Sequence, residues 1–550
     1  MDIKVKGSFA DAMVLLDTEP LAFLKDLGLS REGIEGQAET VLHLQFPLRK
    51  DLTADKVKVD ATAKITKATL PIYKDFPLLK ADLDLAVNNQ KMKVKGTAEV
   101  RKIPVKVSWT EVFQGKNAGS EYEVTATLTD KERTGLGIDF YPVSPNEISG
   151  DMPCLIKENK DLKGNVTTRI SCDLSKTKID DGWFGIKKEQ GVKANTSVTV
   201  KTKRDGSISV SDFRLVSDDG ITLSGGAAID EKGSVRKIIL DKFVTAKNDF
   251  TAAAIVHNDG VFEVDVKGKS FDATRLFAFS SGEGPVRKDN AQFSFRLKGA
   301  LDKVWLSEGG YIDSVLLSIF MNEGSLEDFT FTAKTENDID INAYFKPYKN
   351  VHNLSIYTKD GGGLIKALGY TSNVKGGDLK VLASSAEKGY LSGKLIMSDY
   401  KLIKAPVLAK ILSVASLTGI LDVLQGEGLT FDIAEVPFEF KPSGIYIKDA
   451  HTSGLSIGLT AEGSIKNGIW DMEGSIVPAY VVNSLLGKIP LIGGLFSGGE
   501  TGGGLIAFKY YIDGPAQDPT VTVNPLSALA PGVTRKIFSD NDGDDDNDEE

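Results

Sequence analysis

At 550 residues, 41% of them hydrophobic, the chain is long enough for several ordinary domains or one long repetitive architecture. Its 55 glycines and two cysteines fit a turn-rich β protein and exclude a disulfide framework or a coiled coil. The net charge of −10 falls to −2 once the eight acids from Asp540 to Glu550 are set aside, so the body lacks the basic excess that a phosphate backbone requires, and nucleic acid is dropped as a partner.

The first seventeen residues lack the basic and apolar segments of a signal peptide, which leaves a cytoplasmic chain or a missing true N-terminus. A short helix is expected over 19–27, with Pro20 early in it. Period-two alternation then dominates. Ala38, Thr40, Leu42, Leu44 and Phe46 form one such set, and Val57, Val59, Ala61, Ala63 and Ile65 the next. Met92, Val94, Gly96, Ala98 and Val100 alternate with Lys91, Lys93, Lys95, Thr97 and Glu99. Strands with one apolar and one wet face are predicted here, and again over 166–174, 262–266, 339–345 and 455–461. Turn signals separate them at Asp205-Gly206, Asp218-Asp219-Gly220, Asn258-Asp259-Gly260 and Asn467-Gly468. The spacing predicts antiparallel meanders rather than βαβ units. A joint is expected over 283–289 and a helical turn or two over 363–369. Two apolar stretches, 405–424 and 476–496, are read as helices lying on the sheet end or on a membrane interface. The acidic tail is expected to be disordered. Cys154 and Cys172 fit either one bridge in an oxidising compartment or two unpaired thiols.

The motifs that would carry chemistry mostly fail on context. Gly454-Leu455-Ser456-Ile457-Gly458 matches G-x-S-x-G, but a nucleophile elbow needs a helix next, and here strand alternation continues. Gly268-Lys269-Ser270 resembles the end of a P-loop, whose first glycine would fall at Glu263. His43, His257, His352 and His451 lack metal-ligand spacing. Around Asp542-Gly543-Asp544 a calcium loop would begin at Phe538, which cannot ligate. No catalytic residue, metal or cofactor is expected. What remains is a series of apolar strand faces that must be buried, by a second sheet or by a ligand in a trough.

The stretch 379–538 resembles the C-terminal region of AsmA-like proteins, in the YhdP branch. The resemblance rests on Gly393-Lys394-Leu395, Lys404-Ala405-Pro406, Leu412 to Gly419, Gly426 to Phe431, Gly474 to Tyr480, Leu485 to Gly493 and Val523-Asn524-Pro525-Leu526. It implies an elongated, bent antiparallel sheet that forms an apolar groove, with a few amphipathic helices near the C-terminus. The implied segments are a β-rich region over 1–285, its continuation over 286–400, the AsmA-like region over 401–538, and the tail over 539–550. The implied function is movement of phospholipid between the inner and outer bacterial membranes, supporting the outer-membrane barrier, in the periplasm and in contact with both membrane surfaces. An inner-membrane anchor belongs to the family but not to this chain, so a late start or a fragment is expected. The expected groove residues are Val57, Val59, Ile65, Val94, Phe293, Phe295, Phe329 and Phe331. The expected membrane-contacting or exit-gating residues are Val407, Leu408, Ile411, Leu412, Val481, Leu485, Leu486, Ile489, Leu491 and Phe496. The competing readings are an assembly factor for outer-membrane proteins built from closed β-sandwiches, and, far behind, a hydrolase using Ser456.

Overall fold

The computed structural model describes residues 1–16, 33–47, 56–71, 77–115, 118–136, 147–181, 184–278, 294–387, 389–478, 507–515 and 518–524. It is mainly β and divides into two compact units, Met1–His257 and Asn258–Glu550. The expected joint at 283–289, the helix at 19–27 and the acidic tail lie outside the described residues.

In the first unit, consecutive strands pair antiparallel into one long sheet. The strands are Asp2–Ser8, Glu35–Gln45, Lys58–Leu70, Leu78–Asn88, Lys91–Val100, Ile103–Val112, Gly119–Leu128, Met152–Asp161, Val166–Asp173, Ala194–Thr202, Ile208–Ser217, Thr222–Ile229, Val235–Val244 and Asp249–Val256. Helix α1 (Phe9–Leu16) follows the first strand, and its Phe9 joins a core with Ala38, Ile65, Leu83 and Val94. Helix α2 (Asp130–Leu136) precedes a satellite sheet of Ile148–Gly150, Thr177–Asp180 and Lys187–Lys188. That satellite is organised by two buried cations. Arg133 donates to the carbonyls of Leu128 and Gly150 at 3.0 and 2.7 Å, and Lys188 to those of Thr177 and Glu189 at 2.7 and 3.1 Å. Burial lowers the Lys188 ammonium below its ordinary range.

Turn chemistry places the hairpins where expected. Asp205-Gly206 and Asp218-Asp219-Gly220 close loops in which the glycine takes φ of +89° and +96°, as a type I turn followed by a left-handed residue requires. Asn467 and Gly468, at φ +50° and +75°, form the two-residue turn that matches strand twist. The sheet is also bent by bulges at non-glycine residues. Asp212, Ser314 and Asp449 have φ of +53°, +53° and +50°, each where the register shifts.

Cys154 and Cys172 sit directly opposite each other on neighbouring strands and form a disulfide, which decides between the two readings of the sequence. It closes a short loop of chain, so removing it relaxes the unfolded state more than the folded one. The double variant Cys154→Ala/Cys172→Ala is expected to lose about 2–3 kcal/mol in urea unfolding. A midpoint that does not move would show that the sheet pairing alone supplies this constraint.

In the second unit, Phe262–Asp272 pairs parallel with Phe295–Trp305, a departure from the expected all-antiparallel meander. Helix α3 (Thr274–Ala278) opens the crossover that a parallel pair needs. The remaining strands run antiparallel in chain order: Tyr311–Asn322, Ser325–Lys334, Asp340–Tyr348, Val351–Thr358, Val374–Ser385, Leu391–Leu402, Leu429–Lys441, Gly444–Gly454, Ile457–Lys466, Ile469–Pro478, Phe508–Pro515 and Thr520–Asn524. Helix α4 (Gly361–Ala367) is capped by the Asp360 carboxylate, which accepts from the Gly363 N–H at 2.9 Å and from Thr335 and Asn337 at 2.8 Å each.

The apolar stretch 405–424 forms two helices, α5 (Pro406–Val414) and α6 (Thr418–Gln425). Pro406 at the first turn starts α5, since its missing N–H costs nothing there. The break falls at Ser416, φ +58°, whose N–H bonds to the Ser413 carbonyl while that of Leu417 bonds to Leu412, the closed end of a helix that turns through a left-handed residue. Residues 476–478 of the second apolar stretch end a strand instead of starting a helix, and 479–496 lie outside the described residues.

Tyr510 shows how this core is fitted. It lies opposite Gly474, where a Cβ would come within 2.6 Å of the tyrosine oxygen, and donates to the Thr460 carbonyl at 2.6 Å. Burial pushes its hydroxyl up to about 12. An acid held above its unfolded range adds stability while neutral and loses that contribution as pH climbs through the raised value. Unfolding of the wild type is therefore expected to become easier between pH 10 and about 12, and Tyr510→Phe to lack that component of the pH dependence. Equal alkaline slopes for the two chains would contradict this.

Candidate functional site

Residues directly opposite each other in a sheet project from the same face, so the register identifies continuous rows. In the second unit one row crosses every strand of the sheet: Val264, Leu297, Ile319, Phe329, Phe345, Leu354, Ala383, Gly393, Phe438, Ile447, Gly463, Met472, Ile512 and Val521. Every member is apolar. With strands about 4.8 Å apart, the row runs for roughly 60 Å. A second row lies two residues along: Gly299, Leu317, Phe331, Ala343, Ile356, Val381, Leu395 and Val436. The row between them, on the other face, is mixed: Lys298, Ser318, Thr330, Tyr344, Ser355, Leu382 and Lys394.

The first unit repeats the arrangement. Gly7, Ala38, Ile65, Leu83, Gly96, Val107, Val124, Ile156, Ile170 and Val198 form an apolar row. On the opposite face Lys6, Glu39, Lys64, Asp84 and Lys95 alternate in sign from strand to strand. A slip of one residue would exchange these faces, so burial and charge select the same register.

Coverage of the apolar face varies along it. Ile65 and Val94, 2% and 7% exposed, are covered within the core that includes Phe9 of α1. In the second unit α5 and α6 lie over Met397, Phe431, Ile457, Ile476 and Tyr510. Elsewhere in the second unit, Leu297, Ile319, Phe329, Phe345, Leu354, Phe438 and Ile447 of the row are only half-buried. An open concavity of about 680 Å³ at this end of the sheet is lined from both faces, by Ile447 and Met472 of the row and by Lys448, Glu462, Asp471 and Glu473 of the polar face, so it does not mark the row. Half-buried apolar rows of this extent still leave apolar surface in contact with water.

Of the expected groove residues, Val59, Ile65, Val94, Phe295, Phe329 and Phe331 lie on this face, and Val57 precedes the third strand. Val59 and Val57 are half-buried, and Ile65 and Val94 are in the covered part. Phe295, Phe329 and Phe331 are half-buried, the last two with ring centroids 5.9 Å apart. Phe293 lies outside the described residues, as do Val481, Leu485, Leu486, Ile489, Leu491 and Phe496. Of the expected membrane-contacting residues on α5, Val407 is half-buried, and Leu408, Ile411 and Leu412 are buried against the sheet. The side chains these helices present outward are instead Val414 and Val423, 48% and 44% exposed. The row members Ile319, Phe345, Leu354, Phe438 and Ile447 were not singled out from sequence, because each strand shows the alternation but the register joins them.

The rejected motifs sit in ordinary structure. Ser456 lies in a turn between two strands, beside Leu455 at 79% exposure, so Leu455 does not share the buried face of Ile457. The Ser270 hydroxyl accepts a hydrogen bond from the Trp305 indole at 3.1 Å within a strand. His352 stacks on Phe345 at 5.0 Å with its Nε2 3.5 Å from the Glu327 carboxylate, and His43 pairs with Asp2. Glu462 and Glu473 are cross-strand partners, and burial together with Glu473 holds the Glu462 carboxyl above its usual range. Among the described residues no group of three His, Cys, Asp or Glu side chains could hold a metal, and no helix is long and apolar enough to cross a membrane. No protein-family model, curated protein or solved structure matches this chain.

Proposed function

We propose that this chain carries lipid and performs no chemistry: acyl chains lie along the apolar rows, and phospholipid passes between the inner and outer membranes of a bacterial envelope, maintaining the outer-membrane barrier. The observation that carries the reading is the fourteen-strand apolar row, half-buried through its middle. Covering such a surface stabilises a complex by roughly 25 cal/mol per Å² of apolar area. Hydrocarbon chains can slide along it because no directional bond holds them. The resemblance of 379–538 to AsmA-like proteins supports the same reading, and the disulfide suits an oxidising compartment such as the periplasm.

Native mass spectrometry of the chain, purified from bacterial membranes in mild detergent, tests this. Several phospholipids per chain are expected. A lipid-free chain that also takes up no phospholipid from liposomes would overturn the proposal and leave the assembly-factor reading.

A further inference from the structure

We propose that the polar face of the second unit binds an extended organic cation, an aliphatic polyamine, in the open concavity of about 680 Å³ over the strands Ile457–Lys466, Ile469–Pro478 and Phe508–Pro515. This face is opposite the apolar rows, so the site is independent of the lipid reading. Two like-charged pairs stand side by side there. Glu462 lies directly opposite Glu473, and Asp471 directly opposite Asp513. Both pairs project to one face, because Asp471 and Glu473 are two residues apart on one strand. Like charges directly opposite are destabilising, and these carboxylates are exposed, so packing does not require them.

The neighbouring cations leave the excess in place. Lys441 and Lys448 both pair with Glu439, at 2.7 and 3.3 Å, and Lys466 lies 5.5 Å from the centre of the Tyr446 ring. Lys509, opposite Ser475 one row away, offsets less of the Glu462 shift than burial, Glu473 or Asp449 contributes. A separate observation points to a ligand. Ser464 lies opposite both Asp471 and Tyr446, is 8% exposed and lines the concavity, yet its hydroxyl has no hydrogen-bond partner among the described residues. A sheltered hydroxyl of this kind ordinarily has a partner. Tyr511, opposite Glu473 and 43% exposed, adds an aromatic ring beside the carboxylates.

This arrangement selects an extended cation. No three of these acids converge as metal ligands. The strands are about 4.8 Å apart and same-face residues along a strand about 7 Å apart, so the negative charge is spread along the sheet. Ammonium groups joined by methylene spacers can meet each carboxylate pair in turn, donate to the Ser464 Oγ and lie against the Tyr511 ring.

Isothermal titration calorimetry of the full chain at low salt tests this with spermidine and butylamine. Spermidine is expected to bind at least about tenfold tighter than butylamine, and more weakly as salt rises. Glu473→Gln/Asp513→Asn breaks both pairs and should weaken spermidine binding at least about tenfold, while melting no lower than the wild type because each change removes a repulsion. Ser464→Ala should weaken it about fivefold. The acidic tail is a second run of carboxylates, so Asp545→Asn/Asp546→Asn is the control and should retain the binding. Equal affinity for butylamine, binding that survives Glu473→Gln/Asp513→Asn, or binding lost on changing the tail would overturn the proposal. So would binding of tetralysine without binding of spermidine, which would make the occupant a basic protein segment.

Discussion

Replacing Leu412 with alanine is expected to destabilise the C-terminal part of the second unit by about 3 kcal/mol. Leu412 is fully buried on α5, in one cluster with Ile411, Phe431, Ile457 and Ile476. The truncation removes apolar contact and leaves a cavity that a helix on a stiff sheet cannot close. Val414→Ala, on the outward side of the same helix, should change stability by less than about 0.5 kcal/mol. Hydrogen exchange of the α5 and α6 amides and urea unfolding both report this. Similar small effects for the two variants would mean that α5 does not hold the sheet face as described.

The second large effect concerns transfer. Phe329→Asp places a carboxylate in the long apolar row, where a passing acyl chain would have to strip it of water. A barrier of about 3 kcal/mol slows passage more than a hundredfold. Thr330→Asp puts the same charge one residue away on the opposite face and should leave transfer unchanged. Fluorescent phospholipid exchange between donor and acceptor liposomes separates the two. Transfer by Phe329→Asp at the wild-type rate would remove this row from the path.

Much of the fold was legible because local signals and burial agree. Met92, Val94 and Ala98 were read as an apolar face from alternation alone, and all three are buried. Asn467-Gly468 was read as a tight turn and is one. What was not legible is what strands decide jointly. The bulges at Asp212 and Ser314 shift the facing of every later residue in their strands, and nothing in the local alternation marks where they fall. The parallel pair depends on a crossover whose partner strand no local pattern names. The stretch 405–424 breaks at Ser416 because the closing hydrogen bonds of α5 fall there. Leu408, Ile411 and Leu412 were recognised as an apolar helix side, but composition does not say whether a membrane or a sheet covers such a side. The candidate site had the same limit. Phe329 and Phe331 share one face of one strand, which local alternation does show. The row they belong to exists only once fourteen strands are aligned.

Site-specific photocrosslinking in living bacteria tests the central claim most directly. A benzophenone amino acid at Leu354 or Phe345, in the row, should capture phospholipid on irradiation, whereas the same probe at Ser355 or Tyr344, on the opposite face of the same strands, should not. Phospholipid adducts confined to the row positions are the predicted result. Equal capture at both faces, or capture of protein but no lipid at Leu354 and Phe345, would contradict it.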